Sequence, residues 1–150
     1  MLDAVTTSPA ETEAAGEQLG RSLRQGDLML LEGDLGAGKT TFVRGVARGA
    51  GSSAHVASPT FQLVRVYAGR IQLAHVDLYR LAPGAELVDL GLEELLDQGA
   101  VVVEWGDRME ALLPNRRGQD RVAVPEAAVL SIEHLGGDRR RLRMRRELIR

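Results

Sequence analysis

Residues 33–40 read Gly33-Asp34-Leu35-Gly36-Ala37-Gly38-Lys39-Thr40, which matches the P-loop pattern G-x-x-x-x-G-K-T. Directly before them comes a continuous apolar run, Leu28–Glu32, typical of a buried parallel strand. Directly after them the pattern predicts a helix from Thr40 to about Ala50. Strand, glycine loop and helix in this order distinguish a P-loop from a chance match. The stretch therefore predicts a site for the phosphates of a nucleotide.

The chain has 19 basic residues, and Lys39 is the only lysine among them. An ammonium group is a compact point charge, whereas guanidinium is a wide planar fork, so lysine suits a tight loop around phosphate. Biased codon usage that left one lysine at random is the alternative. The glycines let backbone amides face the ligand at a helix N-terminus. The predicted nucleotide contacts of the loop are Asp34, Leu35, Gly36, Ala37, Gly38, Lys39, Thr40 and Thr41.

In a P-loop the final threonine, here Thr40, places its hydroxyl on Mg²⁺. The metal also needs an acid at the carboxyl end of a neighbouring strand, and the sequence offers two. Glu104 ends the apolar run Val101–Val103, and Asp77 ends a predicted strand over Ile71–Val76. In doubly wound sheets both positions open onto the ligand crevice. The alternative for either acid is that it only caps the next element.

Four further residues have both a functional and a structural interpretation. Thr60 lies in a Ser-Pro-Thr loop twenty residues after the P-loop threonine, where a switch threonine can close over the γ-phosphate; a simple turn is the alternative. Trp105 directly follows Glu104 and either lines the nucleotide site or belongs to the core. His75 and His134 each lie alone in a strand pattern, and we interpret both as structural.

Length and composition narrow the class of protein. A chain of 150 residues fits one domain, 1–150, and the absence of cysteine excludes disulfides and cysteine metal sites. No apolar run approaches the roughly 20 residues of a membrane span, and the N-terminus lacks a secretory pattern, so the expected location is the cytoplasm. Residues 139–150 carry seven arginines and one acid; this basic segment either contacts nucleic acid or an acidic partner, or is a solvated strand.

The remaining pattern predicts an α/β fold: a P-loop NTPase-like three-layer sandwich with a mostly parallel central sheet and antiparallel C-terminal strands. A capping box at Ser8–Glu11, with proline at the first helical position, starts a helix that ends near Gly26. The other predicted strands are 5–7, 61–67, 100–104, 121–124, 130–135 and 141–145, the last two joined by a turn at 136–138. Short helices are predicted within 83–96 and 107–113.

Five segments together resemble a known family. They are GDLGAGKTTFVRG at 33–45, SPTF at 58–61, HVDLYRL at 75–81, GLEE at 91–94 and VEW at 103–105. A P-loop alone is generic, but these segments in this order resemble TsaE (also called YjeE), a family of small bacterial ATPases. That family takes part in making threonylcarbamoyladenosine on tRNA. The resemblance spans about residues 5 to 146.

The resemblance implies an ATP- and Mg²⁺-binding fold. It implies that Lys39 and Thr40 act in the loop and that Glu104 completes the metal site with Thr40. Asp77 would be a switch or hydrolysis residue, and Thr12 would contact the adenine. Trp105 would lie near the nucleotide.

The resemblance also implies partners. The family does not transfer the threonylcarbamoyl group itself; it binds a TsaB–TsaD complex, and its ATP hydrolysis supports repeated turnover. Indirect or weak contact with tRNA is left open. Gly106 replaces the proline that this family often has after the tryptophan.

Two other functions fit a P-loop. A small-molecule kinase usually needs a lid and an acceptor pocket, for which 150 residues leave little room. A guanine-specific switch usually carries an N-K-x-D motif, which is impossible here because the only lysine is in the P-loop. We also expect slow ATP hydrolysis by the isolated protein, with only Arg80 as a candidate to reach the γ-phosphate in cis.

Overall fold

The structure is a computed structural model that describes residues 2–33, 38–53, 64–77, 91–105, 127–146 and 148. Its strands are β1 (Asp3–Thr6), β2 (Leu28–Glu32), β3 (Val64–Tyr67), β4 (Gln72–Asp77), β5 (Gly99–Trp105), β6 (Ala128–Gly136) and β7 (Arg139–Arg146). Its helices are α1 (Pro9–Ser22), α2 (Lys39–Gly49) and α3 (Leu92–Gln98). None of these helices is long and apolar enough to cross a membrane.

All the described strands join one sheet, in the order β1-β7-β6-β2-β5-β4-β3. The four central strands, β6, β2, β5 and β4, run parallel to one another. At one side β7 and β1 continue the sheet antiparallel, and at the other β3 pairs antiparallel with β4. The predicted mixed sheet, parallel at its centre and antiparallel toward the C-terminal strands, is confirmed.

The central strands are apolar on both faces, because each face is covered. Met29 of β2 belongs to one buried cluster, together with Phe42 of α2. Leu30, on the opposite face of the same strand, belongs to a second cluster, together with Leu96 of α3. The sheet therefore lies between helices on its two sides, which is the predicted three-layer arrangement.

Helices α1 and α2 meet at glycines. A β-carbon built on Gly45 of α2 would lie 1.8 Å from the carbonyl oxygen of Glu13, and one on Gly16 of α1 would lie 2.1 Å from that of Phe42. A second pair of glycines one turn further along is equally close to the opposite backbone. No other residue type permits this approach, so the glycines set the distance at which α1 lies against the P-loop helix.

The N-terminus of α1 forms largely as predicted. The side chain of Ser8 accepts a hydrogen bond from the backbone N–H of Glu11 at 3.1 Å. The carboxylate of Glu11 accepts from the backbone N–H of Thr7 at 2.7 Å and from its hydroxyl at 2.6 Å. Glu11 thus binds one residue before the cap, whereas a standard capping box returns to the cap residue itself. These hydrogen bonds lower the pKa of Glu11 below its ordinary value.

Several predicted elements lie outside the described residues and stay predictions. They are the helix at 107–113, the strand at 121–124, the start of the strand at 61–67 and the helical region at 83–90. The prediction of a single domain over 1–150 likewise stays a prediction.

Candidate functional site

The P-loop helix begins at Lys39, one residue before its predicted start at Thr40. Gly38 is the N-cap of α2 with φ +98°, a left-handed conformation that favours glycine. This cap residue has no side chain that could accept from the first turn, and the first N–H groups of a helix have no partner within it. Such a terminus attracts anions. The loop residues Asp34–Ala37 lie outside the described part of the chain.

Lys39, the first residue of α2, is only 5% exposed. Its ammonium group donates a hydrogen bond to the carbonyl oxygen of Gly33, at the start of the loop. The side chain therefore reaches back to the residue at which the P-loop motif begins. Thr40 and Thr41 follow in the first helical turn, and both are half-buried.

The two candidate acids lie side by side. Asp77 ends β4, Glu104 lies near the end of β5, and the two are direct partners in the parallel ladder. Their exposed fractions are 5% and 4%. Alternation along β5 puts Glu104 on the same face as Val102, which packs in the cluster that includes α2. The structure thus brings both acids together on the side of the sheet that carries Lys39.

The donor atoms suit Mg²⁺. Carboxylate and hydroxyl oxygens are the hard ligands that this ion prefers, and it usually takes only one or two carboxylates beside substrate phosphates. Within the described ranges, no group of three or more His, Cys, Asp or Glu could hold a metal. The carboxylate of Glu104 and the hydroxyl of Thr40 are donors of the type that Mg²⁺ accepts, and their use as metal ligands stays a prediction.

His75 makes a contact that the sequence did not predict. Its Nε2 lies 2.8 Å from Oε1 of Glu104, and its side chain is fully buried. One signal was available, because His75 and Asp77 are two residues apart on one strand and so share a face. The pairing of β4 with β5, which brings His75 to Glu104, is not readable from local sequence.

Thr12 of α1 is 2% exposed, and its hydroxyl forms a 2.6 Å hydrogen bond with the hydroxyl of Thr6. The structure therefore gives Thr12 a partner within the protein that links α1 to β1. Its contact with adenine stays a prediction.

Arg140 of β7 is a second residue that sequence reasoning missed. A β-carbon built on Gly38 would lie 3.5 Å from Nε of Arg140, so this side chain passes beside the end of the P-loop. Its Nη1 donates to the carbonyl oxygens of Gly137 at 2.7 Å and Arg139 at 2.9 Å. The predicted hairpin of β6 and β7 is confirmed, but the pairing of β6 with β2 and of β7 with β1, which sets the position of Arg140, was not predicted.

The basic C-terminal strand is partly neutralised. Arg141 donates two hydrogen bonds of 3.1 Å to the carboxylate of Asp3, and Arg145 forms an ion pair with Glu32. The hydrogen bond from Arg141 lowers the pKa of Asp3 below its ordinary value, and it raises the pKa of Arg141. These pairs fit a solvated strand better than a surface with all its positive charge available.

Besides Asp34–Ala37, two further predicted site residues have no described side chain. Thr60 lies outside the described residues, and of Trp105 only the backbone, at the end of β5, is described. Arg80 and Gly106 also lie outside them.

Comparison with known proteins decides the family. The family profile described as "Threonylcarbamoyl adenosine biosynthesis protein TsaE" matches residues 6–140. This chain belongs to the TsaE family. The TsaE family is involved in tRNA threonylcarbamoyladenosine biosynthesis, so the resemblance seen in the five sequence segments is confirmed.

Individual TsaE relatives are similar over most of the chain. The tRNA threonylcarbamoyladenosine biosynthesis protein TsaE of Treponema pallidum is 43% identical over 111 residues, which cover 73% of this chain and 82% of that protein. The Bacillus subtilis protein of the same name is 44% identical over 116 residues, covering 76% of this chain and 72% of its own.

A solved structure supports the fold. The crystal structure of Bacillus subtilis YdiB superposes with a TM-score of 0.70 at 33% sequence identity, covering 95% of this chain and 83% of that one. The α/β fold with its mixed sheet therefore has an experimental counterpart.

Proposed function

We propose that this TsaE-family protein is an ATPase that binds ATP with Mg²⁺ and acts on a TsaB–TsaD complex to support tRNA threonylcarbamoyladenosine modification. The observation that carries the proposal is the pairing of Asp77 with Glu104, both buried, on the face of the sheet that also carries α2. The P-loop helix and two carboxylates share that edge, as phosphoryl-transfer sites require.

The proposed binding chemistry divides among three side chains. The first turn of α2, which follows the glycine cap Gly38, would accept the phosphates, and Lys39 would leave the carbonyl of Gly33 to neutralise the β- and γ-phosphates. Glu104 and Thr40 would hold Mg²⁺. The ion would supply positive charge against the phosphate oxygens.

Asp77 would act on hydrolysis and not on binding. It lies beside Glu104 and is equally buried, but the metal needs few protein carboxylates. We therefore assign Asp77 to orienting the attacking water or to the switch. Arg140, whose side chain lies beside Gly38, would add positive charge near the loop.

The proposed control by a partner is based on the positive charge that phosphoryl transfer needs at the transferred group. An arginine that stabilises the transferred group can contribute a factor of about 10³–10⁵ in rate. We propose that the isolated protein is slow, and that docking on TsaB–TsaD orders the Thr60 loop and raises the rate or traps a closed state. Because tRNA modification is an intracellular process, we propose the cytoplasm as its location.

A nucleotide panel with reconstitution tests the proposal. Steady-state hydrolysis of ATP and GTP would be measured with and without TsaB–TsaD, using Lys39→Ala as the matched negative control. We expect slow hydrolysis of ATP alone, a change in rate on adding the partners, and threonylcarbamoyladenosine formation over repeated cycles only with the active protein. Fast hydrolysis indifferent to the partners, or phosphate transfer to a small-molecule acceptor, would favour the kinase alternative.

A further inference from the structure

His75 is a polar side chain in an apolar layer. It lies on β4 with 0% exposure, on the face where Leu73 packs with residues of α2 such as Val43. Burying an imidazole away from water costs free energy unless its nitrogens find partners. Nε2 has one, the carboxylate of Glu104 at 2.8 Å. A fully buried histidine whose hydrogen bond goes to a candidate metal ligand suggests a role beyond packing.

The proposed metal site requires one form of the imidazole. A carboxylate that binds a metal is ionised and only accepts hydrogen bonds, so in that role Nε2 of His75 must carry the proton and donate it to Oε1 of Glu104. In the neutral ring Nδ1 is then an acceptor, and it is buried without a hydrogen-bond partner in the described part of the chain. The imidazole therefore donates its one N–H to Glu104, and its acceptor nitrogen Nδ1 forms no hydrogen bond within the described residues.

The position of His75 excludes direct contact with a ligand at the strand ends. It pairs in register with Val102, two residues before the Asp77–Glu104 pair, and so lies one layer deeper in the sheet. From there it reaches one oxygen of Glu104. This hydrogen bond to Oε1 restricts the orientation of the Glu104 carboxylate.

We propose that His75 is a positioning residue, which orients the Glu104 carboxylate for Mg²⁺ bound with nucleotide. The inference rests on the proposed function and extends it by one residue. Partners that hydrogen-bond a metal ligand from behind fix its geometry, and their loss typically lowers metal affinity by about 10–100-fold.

Two substitutions separate positioning from packing. In His75→Gln the amide nitrogen reaches about as far as Nε2 and can still donate to Glu104, whereas in His75→Asn it occupies the place of Nδ1 and cannot. Both variants keep a polar side chain of moderate size, so any cost in folding is shared and thermal unfolding checks it. The titrations use Mg²⁺ with ATP, and ATP alone in EDTA, followed by calorimetry.

We expect His75→Asn to weaken Mg²⁺-dependent ATP binding about 10–100-fold, and His75→Gln to stay close to wild type. ATP binding in EDTA should be the same for all three proteins. Equal Mg²⁺ dependence in the two variants would overturn the inference and leave the proposed function intact. A wild-type protein that binds no ATP in Mg²⁺ would instead overturn the proposed function, and the inference with it.

A readout without any ligand is also available. Long-range ¹H–¹⁵N spectra of the wild-type protein distinguish the two neutral tautomers of its buried histidine. The inference requires a protonated Nε2 and an unprotonated Nδ1 on His75, with the Nε2 signal perturbed in Glu104→Gln. The opposite tautomer would mean that His75 does not donate to Glu104, which contradicts the positioning role directly.

Discussion

Two regions of the same sheet differ in how far their polar and charged side chains are exposed to water. At the carboxyl ends of β4 and β5, His75, Asp77 and Glu104 are 0%, 5% and 4% exposed. On β7 the side chains of Arg141 and Arg145 are 41% and 59% exposed, although each pairs with an acid. Electrostatic interactions are strong where water is excluded and weak where it is not. From this difference we propose that the buried edge carries function, and we expect the surface pairs to contribute little to stability.

The largest effect should come from the P-loop lysine. Lys39→Ala removes a nearly buried ammonium group, and ATP-dependent activity should fall at least about 100-fold, the scale of losing one preorganised charge donor. Lys39→Arg should be nearly as harmful, because the wide guanidinium cannot follow the path of Lys39 to the carbonyl of Gly33. Steady-state ATPase assays measure both variants. Full activity in the arginine variant would refute the argument from the compact ammonium group.

The second effect concerns the contact between α1 and α2. Gly45→Ala places a β-carbon against the backbone of Glu13, and because backbone cannot move aside easily, the free energy of unfolding should fall by about 3 kcal/mol or more. Thermal unfolding measures this at about 2–4 °C per kcal/mol. Gln18→Ala, on the exposed side of α1, is the control and should change stability by less than about 0.5 kcal/mol. A Gly45→Ala protein as stable as that control would contradict the close approach.

The third prediction assigns different roles to the paired acids Glu104 and Asp77. Glu104→Ala removes a proposed metal ligand, so Mg²⁺-dependent nucleotide affinity should fall at least about tenfold. Asp77→Ala should leave that affinity intact and reduce hydrolysis. Metal titrations and single-turnover rates on both variants decide the question. A reversed pattern would exchange the two roles.

The smallest effect belongs to the surface pair. Arg141→Gln removes two hydrogen bonds to Asp3, and the loss of thermal stability should be small and should vanish at high salt. The pKa of Asp3 is lowered in the folded protein, so the pair with Arg141 stabilises the folded state at pH values above the ordinary pKa of 3.8. This stabilisation is lost as the pH falls through the lowered pKa of Asp3 in the folded state. Wild type and variant should therefore converge in acid. A large loss of thermal stability that persists at high salt would contradict this expectation, because it would mean that the pair contributes as a buried ion pair does.

The sequence predicted the features that depend only on neighbouring residues, such as the bounds of strands and helices. The strand Leu28–Glu32 has the predicted bounds, and α2 begins at Lys39 beside the predicted start. Both acids lie at the predicted strand ends, because an apolar run that stops at an acid marks the carboxyl edge of a parallel sheet.

Contacts between distant segments were not predictable. The hydrogen bond from His75 to Glu104 exists because β4 pairs with β5, and Arg140 reaches Gly38 because β7 lies between β1 and β6. Likewise, Gly16 and Gly45 look like weak helix positions in sequence, since glycine disfavours helix. Only the packed structure shows that each meets the backbone of the opposite helix.

The most direct test of the central claim is an equilibrium titration of the wild-type protein with ATP, in Mg²⁺ and again in EDTA, with GTP as the competitor. The account predicts binding of ATP in preference to GTP, tightened by Mg²⁺, and loss of that tightening in Glu104→Ala. Binding that ignores Mg²⁺, or a Glu104→Ala protein that keeps the full response to the metal, would contradict the assignment of this buried edge as the ATP–Mg²⁺ site.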